Sequence, residues 1–402
     1  MKNSFWLIAL IATLLSTGNP SAQPNGSITR GVGMTTIPDL LPNCPSNHKT
    51  PLGRILSTDG KTWIVPAETS FQNGLKCSDL FNTCNGITPA KLSDANLSNV
   101  PVIEIDPGGD LITGYLFADN YFELFVNGVL VGVDPIPFTP FNSCVVKFRV
   151  KQPYTLAVKL ADWEENPGLG SELNNGNKYH PGDGGFIAQF SDGTVTDASW
   201  RAQTFYLAPI ENLNAVTELP DGTHSTASAT TSPTCDANCY GVHYEIPSDW
   251  MRPDFDDSGW PKASLYQTSQ VTNQAAFINF ENTAWAKARF IWSSNLILDN
   301  LVLARKTIGT SSTADLLNRF RITAENPFDH KISLVFEQNL NGLFCRLSDV
   351  EGREVAFWPS VSGIPEKKTD LALPANLPSG IYFLQISNKE KSHSFKLIHQ
   401  SF

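Results

Sequence analysis

Short runs of alternating apolar and polar residues, joined by turn residues, constrain the fold of this chain most strongly. In YFELFV, residues 121–126, apolar side chains recur at every second position, and Asn127-Gly128 separates this run from a second one, VLVGV. An Asn-Gly pair in this place predicts a tight hairpin because both turn residues need a positive φ. The alternation returns in SCVVKFRV (143–150) and YTLAVKLA (154–161). Such evenly spaced strands predict an all-β fold, an antiparallel sandwich.

Length and composition divide the chain into segments. With 402 residues and domains of about 100–200 residues, we expect two or three domains. Residues 23–100 are rich in Pro, Asn and Ser and predict a loop-rich segment to which no role can be assigned. The sandwich is expected at 101–306, with the polar stretch 211–238 as an inserted surface loop. TIGTSSTADLLN, 307–318, is typical of a linker, and 319–402 is a second block of strands and turns.

The N-terminus, residues 1–22, has the layout of a secretory signal peptide. Lys2 precedes the apolar run FWLIALIATLL, and small and polar residues follow as far as Ala22. The apolar run is about half as long as a membrane-spanning helix requires. No other run is long enough to span a bilayer, so we expect an exported chain without a transmembrane segment. The formal net charge of −10 argues against a nucleic-acid partner, because no basic stripe is present to displace phosphate counterions.

Seven cysteines are compatible with an exported protein. Two close pairs are candidates for disulfides: Cys77 with Cys84, and Cys235 with Cys239. Neither pair has further His or Cys residues at zinc spacing, which favours disulfides over a metal site. Cys44, Cys144 and Cys345 remain, and the last two lie in strand-like runs, where we expect buried thiols.

The last block carries an ordered set of turn and strand motifs. Asn326-Pro327 precedes a strand, Asp349-x-x-Gly352-Arg353 forms a turn, and LPSGIY (377–382) leads into a strand that a Lys-containing strand follows. In this order the motifs resemble the C-terminal sorting domain of type IX secretion cargo. The resemblance implies an immunoglobulin-like β-sandwich, contact with the type IX secretion machinery, and release or surface attachment. Without the resemblance, the same residues predict an ordinary immunoglobulin-like domain.

The middle of the chain carries a second ordered set. The hairpin within 118–132 is followed by DGGFIAQFSDGTVTDASW (183–200) and by DFDDSGW (254–260). This order resembles the galactose-binding-like, jelly-roll β-sandwich that precedes the catalytic barrel in bacterial α-L-rhamnosidases. The resemblance implies the sandwich fold and mainly structural roles for these motifs. The α/α barrel with the glycosidase acid and base is missing, so the resemblance implies no hydrolase activity.

The chain lacks the common catalytic motifs, since H-E-x-x-H, G-x-S-x-G and the P-loop are all missing. Paired carboxylates would be the remaining route to an enzyme. The sequence identifies no catalytic residue and favours a non-catalytic protein. Asp254, Asp256 and Asp257 begin like a calcium loop, although the distal bidentate Glu is absent. They are the candidate metal ligands, and Ca²⁺ is the only cofactor that the sequence suggests.

Residues 162–185 combine aromatic, carboxylate and amide side chains with many glycines. Sugars bind by stacking on aromatic rings and by hydrogen bonds to planar polar groups, which this mixture supplies. The candidate ligand-binding residues are Trp163, Glu164, Glu165, Tyr179, His180 and Asp183. The alternative is a solvated loop in which Trp163 packs on the edge of the sandwich.

These observations favour a secreted or cell-surface protein that binds a glycan or polysaccharide, or mediates adhesion, without catalysis. One alternative is a carbohydrate-active hydrolase with a site at the junction of 23–100 and the sandwich. Another is a structural surface protein without sugar specificity. A binder should expose Trp163 or Tyr179 in a groove. An enzyme should show two facing carboxyl groups with shifted pKa values in a cleft.

Overall fold

The computed structural model describes residues 24–174, 177–219, 222–229, 238–309, 322–336, 340–364, 367–374, 377–387 and 392–400. The chain divides into two compact units, Met1–Ile308 and Gly309–Phe402. The division falls within the expected linker, and both units consist mainly of antiparallel strands, which confirms the all-β prediction. The expected signal peptide lies outside the described residues.

The described part of the first unit contains many short strands and two short helices. The strands are β1 (Ser27–Arg30), β2 (Met34–Ile37), β3 (Leu52–Leu56), β4 (Thr62–Val65), β5 (Ser78–Phe81), β6 (Val102–Glu104), β7 (Asp110–Asp119), β8 (Tyr121–Val126), β9 (Val129–Val133), β10 (Ser143–Val150), β11 (Tyr154–Ala161), β12 (Ser171–Asn174), β13 (Asn177–Pro181), β14 (Gly185–Phe190), β15 (Arg201–Ile210), β16 (Thr217–Glu218), β17 (His224–Ser225), β18 (Tyr240–His243), β19 (Ser264–Tyr266), β20 (Phe290–Trp292) and β21 (Asp299–Ile308). The α-helices are α1 (Thr268–Val271) and α2 (Ala275–Ile278), and 3-10 turns cover Thr83–Asn85, Leu92–Asp94 and Leu213–Ala215.

Two seven-stranded sheets form the sandwich. The first has the order β1-β18-β15-β21-β11-β8-β9, and the second has β19-β20-β14-β7-β10-β5, with β6 added in parallel to β10. Side chains from both sheets share one core, for example Leu116 of β7, Leu124 of β8 and Phe148 of β10. The predicted hairpin joins β8 to β9, where Asn127 has φ 50° and Gly128 has φ 83°.

The first sheet is buried on both faces. Along β8, Phe122 and Leu124 enter the core between the sheets, as their alternation predicts. Tyr121 and Phe125 point the other way, yet they are also buried, in a second apolar cluster. That cluster contains side chains from two covering segments, residues 34–71 and 244–260. Much of the outer face of the first sheet is therefore covered by a packed layer.

The N-terminal segment 23–100 supplies strands to the sandwich. β1 is an edge strand of the first sheet, paired with β18, and β5 extends the second sheet beside β10. The sheet β2-β3-β4 lies in the segment that covers the outer face. The boundary expected at residue 101 therefore does not separate two compact units. Loop-rich composition concealed strands whose hydrogen-bond partners lie far along the chain.

The stretch 211–238 is also less loose than its composition suggests. Its described part holds the hairpin β16–β17, with Glu218 opposite His224. Thr226 Oγ1 donates a hydrogen bond to Oδ1 of the buried Asp299 at 2.7 Å. The described part of this loop is therefore fastened to the first sheet.

The disulfides differ in part from the expected ones. Cys84 is bonded to Cys44, 40 residues away, and not to Cys77. Cys77 precedes β5 and is a buried free thiol whose Sγ packs against the backbone of Gly132 in β9. Cys144 and Cys345 are buried thiols, as predicted. Cys239 is disulfide-bonded, and Cys235 lies outside the described residues.

The second unit is a smaller sandwich of two sheets. Its strands are β22 (Ile322–Ala324), β23 (Lys331–Phe336), β24 (Leu340–Ser348), β25 (Glu354–Gly363), β26 (Lys368–Ala372), β27 (Gly380–Ser387) and β28 (Ser392–His399). The sheet β22-β23-β26 and the sheet β25-β24-β27-β28 share an apolar core that includes Leu334, Leu347 and Leu384. At the predicted turn, Asp349 accepts a hydrogen bond from the Arg353 backbone N–H at 3.0 Å.

Candidate functional site

A groove lies on the outer face of the first sheet. Its volume is about 670 Å³, and strands β11, β15, β18 and β21 supply its floor. Its walls come from residues 61–68 and 244–251, which belong to the two covering segments. We call it the aromatic groove because its lining includes the rings of Trp63, Phe205, Tyr206, His243, Tyr244 and Trp250.

Stacked rings organise one side of the aromatic groove. Tyr206 and His243 stack with ring centroids 4.3 Å apart, and Trp63 stacks on His243 at 5.1 Å. Burial lowers the pKa of His243 to about 3, so the imidazole is neutral at physiological pH. Its Nε2 lies 3.2 Å from Thr29 Oγ1 on the edge strand β1. The ring stack is thus tied into the sheet, and Trp63 is held half-buried in the groove wall.

Polar groups surround these rings. Lys61 Nζ pairs with Glu245 at 2.9 Å at the exposed rim. On the floor, Lys159 Nζ lies 3.4 Å from the fully buried Glu123 and donates to the Glu68 carbonyl at 3.1 Å. The groove therefore combines apolar ring surface with donors and acceptors, which is the composition of a site for a small polar ligand.

Three of the predicted ligand-binding residues, Trp163, Glu164 and Glu165, are engaged in contacts within the fold. Trp163 is fully buried, and its ring packs edge-on against Tyr121 with centroids 5.5 Å apart, so it offers no face to a ligand. Glu164 is also buried and accepts hydrogen bonds from Gly168 N at 2.7 Å and from Tyr206 Oη at 3.1 Å. Burial raises the pKa of Glu164 to about 7, against the opposing effect of these hydrogen bonds. The packing alternative for Trp163 thus describes its position.

Glu165 fastens the N-terminal segment. Its carboxylate lies 2.8 Å from His48 Nδ1 and accepts hydrogen bonds from Lys49 N at 2.9 Å and Leu173 N at 2.8 Å. The side chains of Tyr179 and His180 lie outside the described residues. The fold therefore places Glu164 and Glu165 in structural positions.

Asp183, the remaining predicted residue, lies in a second concavity. This cavity, of about 270 Å³, is lined by His48, Asp119, Glu172 and Asp183 among others. Asp162 lies beside it, and both of its oxygens adjoin Gly182. We call this cavity, with the four carboxyl groups of Asp119, Asp162, Glu172 and Asp183, the acidic cavity.

Burial dominates the electrostatics of the acidic cavity. It raises the pKa of Asp119 and of Asp162 well above the usual range, and the other carboxylates reinforce the effect. The pKa of Glu172 rises to about 8, mainly through burial and then through repulsion from Asp183. Burial raises the pKa of Asp183 to about 6. Carboxyl groups with such shifts in a cavity are candidates for functional groups.

The expected metal ligands are engaged elsewhere. Asp257 Oδ2 accepts a hydrogen bond from Arg305 Nε at 2.8 Å, and Asp254 pairs with Arg252 at 3.1 Å. Asp256 accepts from the Ser258 backbone N–H at 3.0 Å. Over the described ranges, no three His, Cys, Asp or Glu side chains already stand as a metal-coordinating group. The three aspartates belong to a turn in which arginines engage two of them.

Sequence reasoning missed the aromatic groove. Trp63 lies in the segment to which no role was assigned, and Trp250 lies just before a motif interpreted as structural. They are 187 positions apart in the numbering, so no local pattern connects them. The one available signal was the density of aromatic residues in YGVHYEIPSDW, 240–250.

Residues 326–400 match the family model described as the secretion system C-terminal sorting domain. This tail indicates export by type IX secretion, to the cell surface or the medium, and interaction with the secretion machinery. Among the described helices, none has the length and apolar character needed to span a membrane.

No curated protein matches the chain. Three of the solved structures that align with the chain show only slight similarity. A β-glucuronidase from Faecalibacterium prausnitzii aligns with 94% of this chain and 46% of its own, at 9% identity and a TM-score of 0.18. A β-D-glucuronidase from Dictyoglomus thermophilum aligns with 94% and 44%, at 12% identity and a TM-score of 0.15. The BSP domain of a biofilm associated protein aligns with 94% and 67%, at 10% identity and a TM-score of 0.16. The chain spans less than half the length of the two glucuronidases, and these scores carry no argument about function.

Proposed function

We propose that this chain is a non-catalytic carbohydrate-binding protein that type IX secretion exports, and that the aromatic groove is its glycan site. The observation that carries the proposal is the composition of that groove. Half-buried and buried rings line this groove of about 670 Å³, among them Trp63, Tyr206 and Trp250. Charged side chains stand on its rim and floor.

The chemistry of a sugar matches this arrangement. The C–H faces of a pyranose pack on aromatic rings, while its hydroxyl groups exchange hydrogen bonds with charged and polar side chains. The exposed rim pair of Lys61 and Glu245 can open towards hydroxyl groups at little cost, because exposed ion pairs contribute about 0–1 kcal/mol. The volume of the groove suits a ligand of one to a few sugar rings, since ligand pockets have volumes of about 300–1,000 Å³.

The carboxylates of the groove favour binding over hydrolysis. Glu68 and Glu245 are exposed, and Glu245 is paired with Lys61. A glycosidase needs an acid and a second carboxylate that face each other across the scissile bond. The hydrolase alternative would instead draw on Glu172 and Asp183 in the acidic cavity, whose raised pKa values favour it.

A glycan array with the full exported chain tests the proposal. We expect selective binding that Trp63→Ala weakens at least tenfold, or about 1.4 kcal/mol. Because Trp63 also packs on His243, Lys61→Ala is the milder second variant at the exposed rim. Lys331→Ala is the matched control, since Lys331 is an exposed lysine of the second unit that pairs with Asp370.

Three outcomes are distinguishable in that experiment. Equal loss of glycan binding in Lys61→Ala and Lys331→Ala would mean that binding does not depend on the groove, and it would refute the assigned site. A folded protein that binds no glycan would refute recognition and favour a structural surface protein. Release of reducing sugar from a bound glycan, lost in Glu172→Gln, would favour the hydrolase.

A further inference from the structure

Four carboxyl groups meet where several strands of the sandwich end. Asp119 is the last residue of β7, and Asp162 directly follows β11. Glu172 lies in β12, and Asp183 lies between β13 and β14. The pairing of β14 with β7 sets Gly185 opposite Asp119, which brings Asp183 to the end of β7. The fold itself therefore gathers the acidic cavity from four separate places in the sequence.

These carboxyl groups have no basic partner among the described side chains. The charges that act on Asp119 are those of Asp183 and Glu172, and Asp162 is surrounded by carboxylates as well. His48 lines the cavity, but its Nδ1 lies 2.8 Å from Glu165. A buried charge without compensation is costly, so a native protein protonates it or places a cation beside it.

A polar atom beside the cavity is left without a partner. Asp162 is only 3% exposed, and its Oδ1 is buried without a hydrogen-bond donor from the described part of the chain. Folded proteins rarely leave such an atom unsatisfied, and a bound ion is one way to satisfy it. This observation is independent of the number of carboxylates. If the cluster were only protonated, its buried oxygens would still be satisfied by hydrogen bonds.

The backbone beside Asp162 carries no side chain, because Gly182 lies there. A Cβ on Gly182 would stand 2.5 Å and 2.7 Å from the two oxygens of Asp162 and 2.8 Å from Glu172 Oε1. Two carboxylates from separate places in the chain thus converge on a glycine where no side chain fits. The neighbouring cavity of about 270 Å³ reaches Asp119, Glu172 and Asp183, so there is room for an ion with water molecules.

We propose that the acidic cavity binds one calcium ion, held by Asp162, Glu172, Asp183 and Asp119. Ca²⁺ takes six to eight oxygen ligands in flexible geometry, including carboxylates in one- or two-oxygen contact and water. Mg²⁺ requires a tighter octahedron, which a wide cavity supports less well. Among the described residues, no three His, Cys, Asp or Glu side chains stand close enough together to hold a metal ion, so binding requires side chains of the cavity to move. Glu172 and Asp183 are only partly buried and supply this freedom to move.

The ion would fasten a hairpin to the sandwich. Glu172 belongs to β12, which pairs only with β13 in the described chain, whereas Asp119 and Asp162 end strands of the two large sheets. A shared ion would link both sheets and the hairpin at one point. We therefore expect calcium to raise the unfolding temperature of the first unit.

Calorimetric titration of the full exported chain with CaCl₂, after treatment with a chelator, tests this site. We expect one ion bound per chain and an unfolding temperature that rises with calcium. The dissociation constant should weaken at least tenfold in Glu172→Gln and in Asp183→Asn. Asp256→Asn is the matched control, because Asp256 belongs to the turn that the sequence alone suggests for calcium and should bind as the wild type does.

Asp162→Asn provides a second, opposite signature. Without calcium it should raise the unfolding temperature, because it removes a carboxyl group whose charge is costly to bury, and it should abolish the further rise on adding calcium. No heat and no thermal shift in the wild type at about 10 mM calcium, above the range of extracellular calcium modules, would overturn the proposal. Binding lost in Asp256→Asn but kept in Glu172→Gln would overturn it equally.

Discussion

Asp257→Asn is expected to destabilise the first unit by loosening one wall of the aromatic groove. Arg305 of β21 has a side chain that is 1% exposed, and its Nε donates to Asp257 at 2.8 Å. The same guanidinium donates to the carbonyl oxygens of Trp250, of Arg252 at 3.1 Å and of Phe255 at 3.4 Å. One buried cation therefore holds the whole turn that carries Trp250. Asparagine keeps the shape of Asp257 and removes only its charge.

The magnitude follows from the burial of the two partners. Removing one member of a buried ion pair costs about 3–5 kcal/mol, because the remaining charge is left without compensation. The Asp257 side chain is 24% exposed, and Arg305 keeps its carbonyl acceptors. Both facts reduce the cost, so we expect a loss of about 2–3 kcal/mol in the free energy of unfolding.

Urea unfolding followed by tryptophan fluorescence measures this loss. Asp254→Asn is the matched control, since Asp254 pairs with Arg252 and their side chains are 72% and 62% exposed. An exposed pair contributes little, so the control should change stability by less than about 0.5 kcal/mol. Equal effects of the two substitutions would refute the assigned role of Arg305. An effect of Asp257→Asn seen only with calcium present would instead make Asp257 a metal ligand.

Three further outcomes can be checked by unfolding experiments. The pKa of His243 is about 3 in the folded chain, so below about pH 6.5 only the unfolded state takes up its proton, and stability should fall by about 1.4 kcal/mol per pH unit. His243→Gln should flatten this slope between pH 7 and 5, and an unchanged slope would contradict the assignment. Reducing the Cys44–Cys84 bond, which closes a loop of 40 residues, should cost about 4 kcal/mol by loop entropy, whereas an unchanged melting temperature with reductant would exclude this link. Gly128→Ala should cost about 1–2 kcal/mol because of the positive φ, and a neutral result would mean that the turn rearranges.

The sequence predicts the strands of this protein well where the signal is local. Alternation and the Asn127-Gly128 turn specify β8 and β9, and the ordered motifs of the tail specify the second unit. Alternation predicts one buried face, however, and the first sheet has two. Glu123 is 0% exposed although it looks like a surface residue of the strand. It is buried because the segment that follows β4 covers it, and the backbone N–H of Ser70 donates to its carboxylate at 2.5 Å.

The candidate site was harder to predict because its residues are not neighbours in sequence. Residues 162–185 have the composition of a sugar site, yet Trp163 turns inwards and packs on Tyr121. Composition cannot distinguish a ring that contacts a ligand from one that contacts the core. The groove depends on Trp63 and Trp250, which different covering segments carry to the same sheet. Only the pairing of distant strands establishes that proximity.

The aromatic groove and the acidic cavity are connected by one short stretch of chain. Asp162 leads into the acidic cavity, Trp163 is locked in the core, and Glu164 accepts a hydrogen bond from Tyr206 on the groove floor at 3.1 Å. These three consecutive residues follow β11, so the acidic cavity and the hydrogen bond to the groove floor are two residues apart in the chain. Glu164, which the sequence marks as ligand-binding, therefore supports the groove through its hydrogen bond to Tyr206 on the floor.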